Sequence, residues 1–142
     1  HGKEETFFFP VLVKRGVPAK GCPIEGLNHE HEKGRVLVQA LAEHTSAYQR
    51  GQPEAPEALR QTLRGLLDLY QSHIWKEDAM VFPMADRILT ADDQQELSAQ
   101  FVVVDRAVGL DTIARLEGFA RSLSSTALAP RPSQPAACHC GG

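Results

Sequence analysis

HIWKEDAMVFP, residues 73–83, decides the reading of this chain, because the opening decapeptide HGKEETFFFP repeats its pattern. With Lys3-Glu4 laid on Lys76-Glu77, Phe9-Pro10 falls on Phe82-Pro83 without a gap, and Glu5 falls on Asp78. Phe7, Phe8 and Phe9 then match Met80, Val81 and Phe82. In the second copy His73 precedes Glu77 by four residues. Four residues turn an α-helix by ~400°, so both side chains leave one face about a turn apart. That spacing alone is a weak signal, since His and Glu four apart also make ordinary surface pairs. Its surroundings strengthen it. Leu63, Leu66, Tyr70, His73, Glu77, Met80, Met84 and Ile88 follow at steps of three and four, the seam a helix turns toward its partners.

Two more stretches interrupt an apolar seam with ionisable groups. One reads Ile24, Leu27, His31, Gly34, Val38 and Leu41, and on the first segment Glu4, Phe7 and Val11 form the equivalent row. His29 and His44 lie off the seam and are expected at the surface. Tyr70 is expected to pack inward beside the histidines, as core or as a neighbour of a metal.

Period two is absent and period 3.6 dominates, so the fold is read as helical. The first segment spans roughly residues 1–15 and stops at Gly16. After the loop GVPAKGCP a second helix runs from Pro23 to about Arg50. A third covers about residues 56–89, and Pro83, which removes a backbone hydrogen bond, predicts a bend in it. Thr90 to Asp93 reads as a capping box opening a fourth helix, with a weak point at Gly109. The domain boundaries that follow are a helical bundle over residues 1–125 and a flexible Pro-rich tail over 126–142, ending in Cys138-His139-Cys140. Long amphipathic helices joined by short connections lie antiparallel, so the expected fold is all-α, an up-down four-helix bundle.

At 142 residues the chain fits one domain with a real core, and its net charge of −3 with dispersed Lys and Arg argues against a nucleic-acid partner. No apolar run approaches the ~20 residues needed to cross a bilayer, and the opening residues do not read as a charged-then-apolar signal segment. Three cysteines, Cys22, Cys138 and Cys140, make an odd and sparse count that argues against a disulfide framework. A reducing, cytoplasmic setting is therefore the expectation. Two sulfurs on a mobile tail make a poor structural metal site.

The seams aim acids and imidazoles at one interior. Burying a neutral polar group without a partner costs roughly 1–3 kcal/mol, and an unpaired charge costs more. A single hydrogen-bonded His–Glu pair is the plain solution. A pair of metal ions is a fuller one, since carboxylates bridge cations while each neutral imidazole ligates one.

HGKEETFFFP, PIEGLNHEHEKGRVLV and HIWKEDAMVFPMADRIL, in that order, resemble the hemerythrin-like, HHE cation-binding domain family over roughly residues 1–105. The resemblance implies a four-helix bundle around a non-haem di-iron centre: two Fe ions, His and carboxylate ligands, and a bridging oxo, hydroxo or water oxygen. It implies His73 and Glu77 as one ligand pair, His31 as the lone histidine of the preceding helix, and Glu4 as the carboxylate of the earlier motif. Glu4 is preferred to Glu5 because the ungapped repeat sets it opposite Glu77. His1 joins the expected ligands, either as the second of two adjacent histidines or paired with Glu5 four residues on. The family's preceding helix, with a further histidine, is not in this sequence, so pairing with a second copy of the chain is an open expectation.

The resemblance implies a protein that binds or senses O2 or a related small oxidant such as nitric oxide or peroxide. Two other classes stay open. One is a di-iron enzyme that decomposes peroxide or oxidises iron, and the other is a metal-free helical interaction module.

Overall fold

The computed structural model describes residues 1–124, and among them the chain is helices and turns with no strand. Helix α1 (Phe9–Lys14) is led in by a π-helical turn at Glu4–Phe8, and α2 follows as Ile24–Gln49. Helix α3 (Ala55–Lys76) runs through a second π turn, Glu77–Val81, into α4 (Phe82–Ile88). Helices α5 (Ala91–Val108) and α6 (Leu110–Ser124) complete the described chain. This is the all-α helical bundle that the seams predict. The expected Pro-rich tail and its Cys138-His139-Cys140 motif lie outside the described residues.

The repeated phrase is a repeated backbone device. Each copy forms a π turn that starts at its glutamate and ends just before its Phe-Pro. Proline supplies no N–H and its ring crowds the carbonyl four residues back, so the α ladder fails at Pro10 and Pro83. The preceding amide reaches one residue further instead: Phe9 N–H donates to Glu4 O, and Phe82 N–H donates to Glu77 O. The interruption expected at Pro83 thus takes the form of one inserted residue.

That insertion corrects the seam in both copies. At steps of three, Met80 and Phe7 follow the glutamates inward. In the wider π turn the buried residues are Val81, 0 % exposed, and its counterpart Phe8, while Met80 is 39 % exposed. From there Ala85 and its counterpart Leu12 continue the buried row. Leu63 and Val38, also placed on seams by spacing, are exposed, and the buried residues of α3 are Ala55, Thr62, Leu69 and His73.

The apolar core gathers Phe8, Phe9, Leu12, Ile24, Leu27, Val81, Ala85 and Leu97, which ties α1, the start of α2, α4 and α5 into one end of the bundle. Two polar fastenings, one on either side of α1, hold the N-terminal segment to α5. Lys3 pairs with Asp105 at 2.6 Å, and Arg15 grips Asp93 through two hydrogen bonds of 2.7 and 2.9 Å. Asp93 is also the capping-box residue, accepting from Thr90 N at 2.9 Å while Thr90 Oγ1 accepts from Asp93 N. Arg15 first, and then the Thr90 amide, hold the Asp93 carboxyl well below the usual carboxylate range.

The α5 helix ends at Gly109, whose φ of 96° is the left-handed region glycine favours, and α6 restarts beyond it. One sequence expectation fails on a packed neighbour. His44 is half-buried rather than superficial, with Nδ1 2.8 Å from the buried Thr62 hydroxyl, which in turn donates to Ala58 O. Cys22 is disulfide-bonded.

Candidate metal centre

Below the apolar core, three helical segments turn polar atoms inward at one level. The first π turn supplies Glu4, α2 supplies His31, and the junction of α3 with the second π turn supplies His73 and Glu77. His31 is 0 % exposed and His73 2 %. His31 Nε2 stands 3.4 Å from Glu4 Oε2, and His73 Nε2 stands 3.2 Å from Glu77 Oε1. The His1 ring stacks on His31 with centroids 4.1 Å apart and meets His73 edge-on at 5.3 Å. Ligand atoms of His1, His31 and His73 converge within 4.8 Å of one another, and so do those of Glu4, His31 and Glu77. All five residues singled out from the sequence therefore meet in one place.

The outward nitrogens are engaged. Glu5 Oε1 lies 2.7 Å from His31 Nδ1 and also accepts from Arg35 at 2.9 Å. Glu30 Oε2 lies 3.0 Å from His73 Nδ1, while its other oxygen takes the Lys76 ammonium. Burial raises both carboxyls, but the hydrogen bonds from Arg35 and His31 to Glu5, and from Lys76 and His73 to Glu30, outweigh it and hold both low. Each outward ring nitrogen therefore faces a carboxylate oxygen within hydrogen-bond reach. On the inward side burial pushes the His31 imidazole down, toward its neutral form. Burial first, and the Glu4 charge second, push the Glu77 carboxyl up.

Toward the interior the polar atoms are left unmatched. Glu4 Oε2, His31 Nε2, His73 Nε2 and Glu77 Oε1 are buried and have no hydrogen-bond partner. Carboxylate oxygens and imidazole nitrogens this close need a positive centre among them, a proton or a metal ion. A cation that takes imidazole and carboxylate satisfies all four. Around them the wall is apolar: the Phe9 ring lies parallel to His31 at 5.9 Å, and Tyr70 meets His73 edge-on at 6.3 Å.

Glu5 and Asp78, equivalent in the repeat, part company here. Glu5 backs His31, whereas Asp78 is exposed, and the carboxylate backing His73 comes from α2 as Glu30. Spacing passes over Glu30 because it stands beside His31 rather than a turn away from it, and its partner arrives only when α3 packs.

Buried imidazoles and carboxylates converging from a repeated helical motif define a cation-binding bundle. Residues 1–85 match the Hemerythrin HHE cation binding domain, and the chain belongs to that family. It is also similar, at 30% identity over 103 residues, to an uncharacterized protein of Mycobacterium bovis and to uncharacterized proteins of two Mycobacterium tuberculosis strains. Those alignments cover 71% of this chain and 39% of each relative, so the chain spans about two fifths of the length of the curated relatives it matches. No solved structure matches the chain significantly. Among the described residues no helix is long and apolar enough to cross a membrane.

Proposed function

We propose that this chain binds a pair of iron ions through His1, Glu4, His31, His73 and Glu77, and that the loaded centre takes O2 or a related small oxidant. The observation that carries the reading is the group of four buried polar atoms, two imidazole nitrogens and two carboxylate oxygens, left without a hydrogen-bond partner. Membership of a cation-binding family supports the class of ligand. Ferrous iron, when bound, supplies electrons to a small oxidant and an open coordination position for it.

The chain's own residues do the rest. Charge at the centre comes from Glu4 and Glu77, since Glu5 and Glu30 are matched by Arg35 and Lys76. Neutral imidazoles offer lone pairs without adding charge, so two carboxylates balance part of the charge of two divalent ions. Phe9, Leu12, Leu27 and Val81, all 3 % exposed or less, keep bulk water from that side.

Anaerobic titration with ferrous iron, followed by admission of air, tests this. The expected result is saturable binding and a visible charge-transfer band that appears on exposure to oxygen. A protein that binds ferrous iron but stays colourless and indifferent to air contradicts the oxidant reading, and one that binds no iron contradicts the whole of it.

A further inference from the structure

The geometry points to Glu5 and Glu30 as positioning residues that fix His31 and His73 in the Nδ1–H tautomer and so keep both Nε2 lone pairs aimed at the metal position. This rests on the proposed metal centre and adds to it two residues that do not themselves touch the ion. A neutral imidazole carries one proton, and a ring that holds it on the inward nitrogen cannot ligate through that atom. The choice therefore has to be made before the ion arrives.

Each carboxylate makes it from a different helix. Glu5, on the first π turn, reaches His31 on α2, with Nδ1 2.7 Å from Oε1. Glu30, on α2, reaches His73 on α3, with Nδ1 3.0 Å from Oε2. Helix α2 thus receives one brace and gives the other, which locks the three segments at the level of the site. Each carboxylate is tied to a cation as well: Arg35 at 2.9 Å from Glu5, and Lys76 beside Glu30. A carboxylate set between a cation and the ring is placed to accept from both. Both imidazoles are almost wholly buried, at 0 % and 2 % exposed, so no bulk water competes for Nδ1. Outer partners of this kind change metal affinity by roughly 10- to 100-fold when removed.

The test reads the tautomer directly. Nitrogen-15 NMR of the imidazoles in the metal-free chain should show His31 and His73 each protonated at Nδ1 and bare at Nε2. Glu30→Ala should shift His73 toward the Nε2–H form and leave His31 unchanged, and Glu5→Ala should do the converse. Cobalt(II), a divalent probe with visible bands, should bind each variant about 10- to 100-fold more weakly. Glu5→Gln keeps one oxygen that can accept from both Nδ1 and Arg35, so it should retain the wild-type tautomer and most of the affinity. Glu30→Gln combined with Lys76→Met leaves the amide oxygen to Nδ1 alone and should do the same. These variants also answer for an alanine variant that fails to fold. A His73 tautomer that is the same in wild type and Glu30→Ala, or a wild-type ring bare at Nδ1, overturns the inference. A wild-type chain with the expected tautomers but no affinity for cobalt or iron leaves these positions as described and overturns the metal centre instead.

Discussion

Changing Glu77 to glutamine should make the metal-free protein more stable and the metal-loaded protein less so. Glutamine keeps the shape of the side chain, which is 12% exposed, and replaces one carboxylate oxygen with an amide that donates. The atom it faces is His73 Nε2, 3.2 Å away and without a partner. A repulsive acceptor pair becomes a hydrogen bond, and one of two neighbouring negative charges disappears. An unmet buried polar group costs about 1–3 kcal/mol, so a gain of that order is expected in chelator. For a domain of this size that is a rise in Tm of roughly 3–10 °C. With metal the order reverses. Ligand at a hundred times Kd adds about 2.7 kcal/mol to the wild type, and the variant has lost one anionic ligand. Thermal melts followed by circular dichroism, with chelator and with saturating cobalt(II), measure both halves. A variant less stable than wild type in chelator refutes the reasoning, because it would mean that Glu77 and His73 form an ordinary structural pair.

Register across the second π turn is open to a paired substitution: Val81→Ala should cost about 2 kcal/mol, and Met80→Ala less than about 0.5 kcal/mol, in denaturant unfolding, the reverse of what unbroken helical spacing predicts. Pro83→Ala restores an amide hydrogen, so the ladder should close as plain α-helix and turn Glu77 by about 100° relative to Val81. Unchanged helicity with weaker cobalt(II) binding is the expected outcome, and undiminished binding counts against a role for the π turn. For Asp93, whose carboxyl is held low by Arg15 and the Thr90 amide, the sign is that of a depressed acid. Its contribution is present above the ordinary carboxylate range and lost as pH falls below about 4. Asp93→Asn should therefore be less stable at neutral pH and lose less on acidification than the wild type in urea melts, and parallel acid curves for the two would remove Asp93 from the account.

What could be read in advance was whatever depends on one helix alone. Ile24, Leu27, His31 and Gly34 lie along a single straight face and all are buried as spacing requires. The Thr90 capping box is local chemistry and is formed. His73 and Glu77 are one turn apart, before the ladder changes, so their common direction survives. Past each glutamate the reading slips by one residue, because a π turn has no period of its own in the sequence and only the proline that causes it can be seen. Met80 for Val81 is that slip, and in the first copy Phe8 is the buried residue while Phe7 packs beside it partly buried. Contacts between helices were less legible still. Glu30 backs His73 across 43 residues of chain and His44 meets Thr62 across 18, and neither pairing leaves a periodic trace.

The central claim is that four buried acceptors are held together by bound cations. Counting metal per chain by elemental analysis, on protein loaded with ferrous iron and freed of excess, addresses it most directly. Two irons are expected in the wild type and a sharp loss in His31→Ala and in His73→Ala. Equal, near-zero iron in all three proteins contradicts the account.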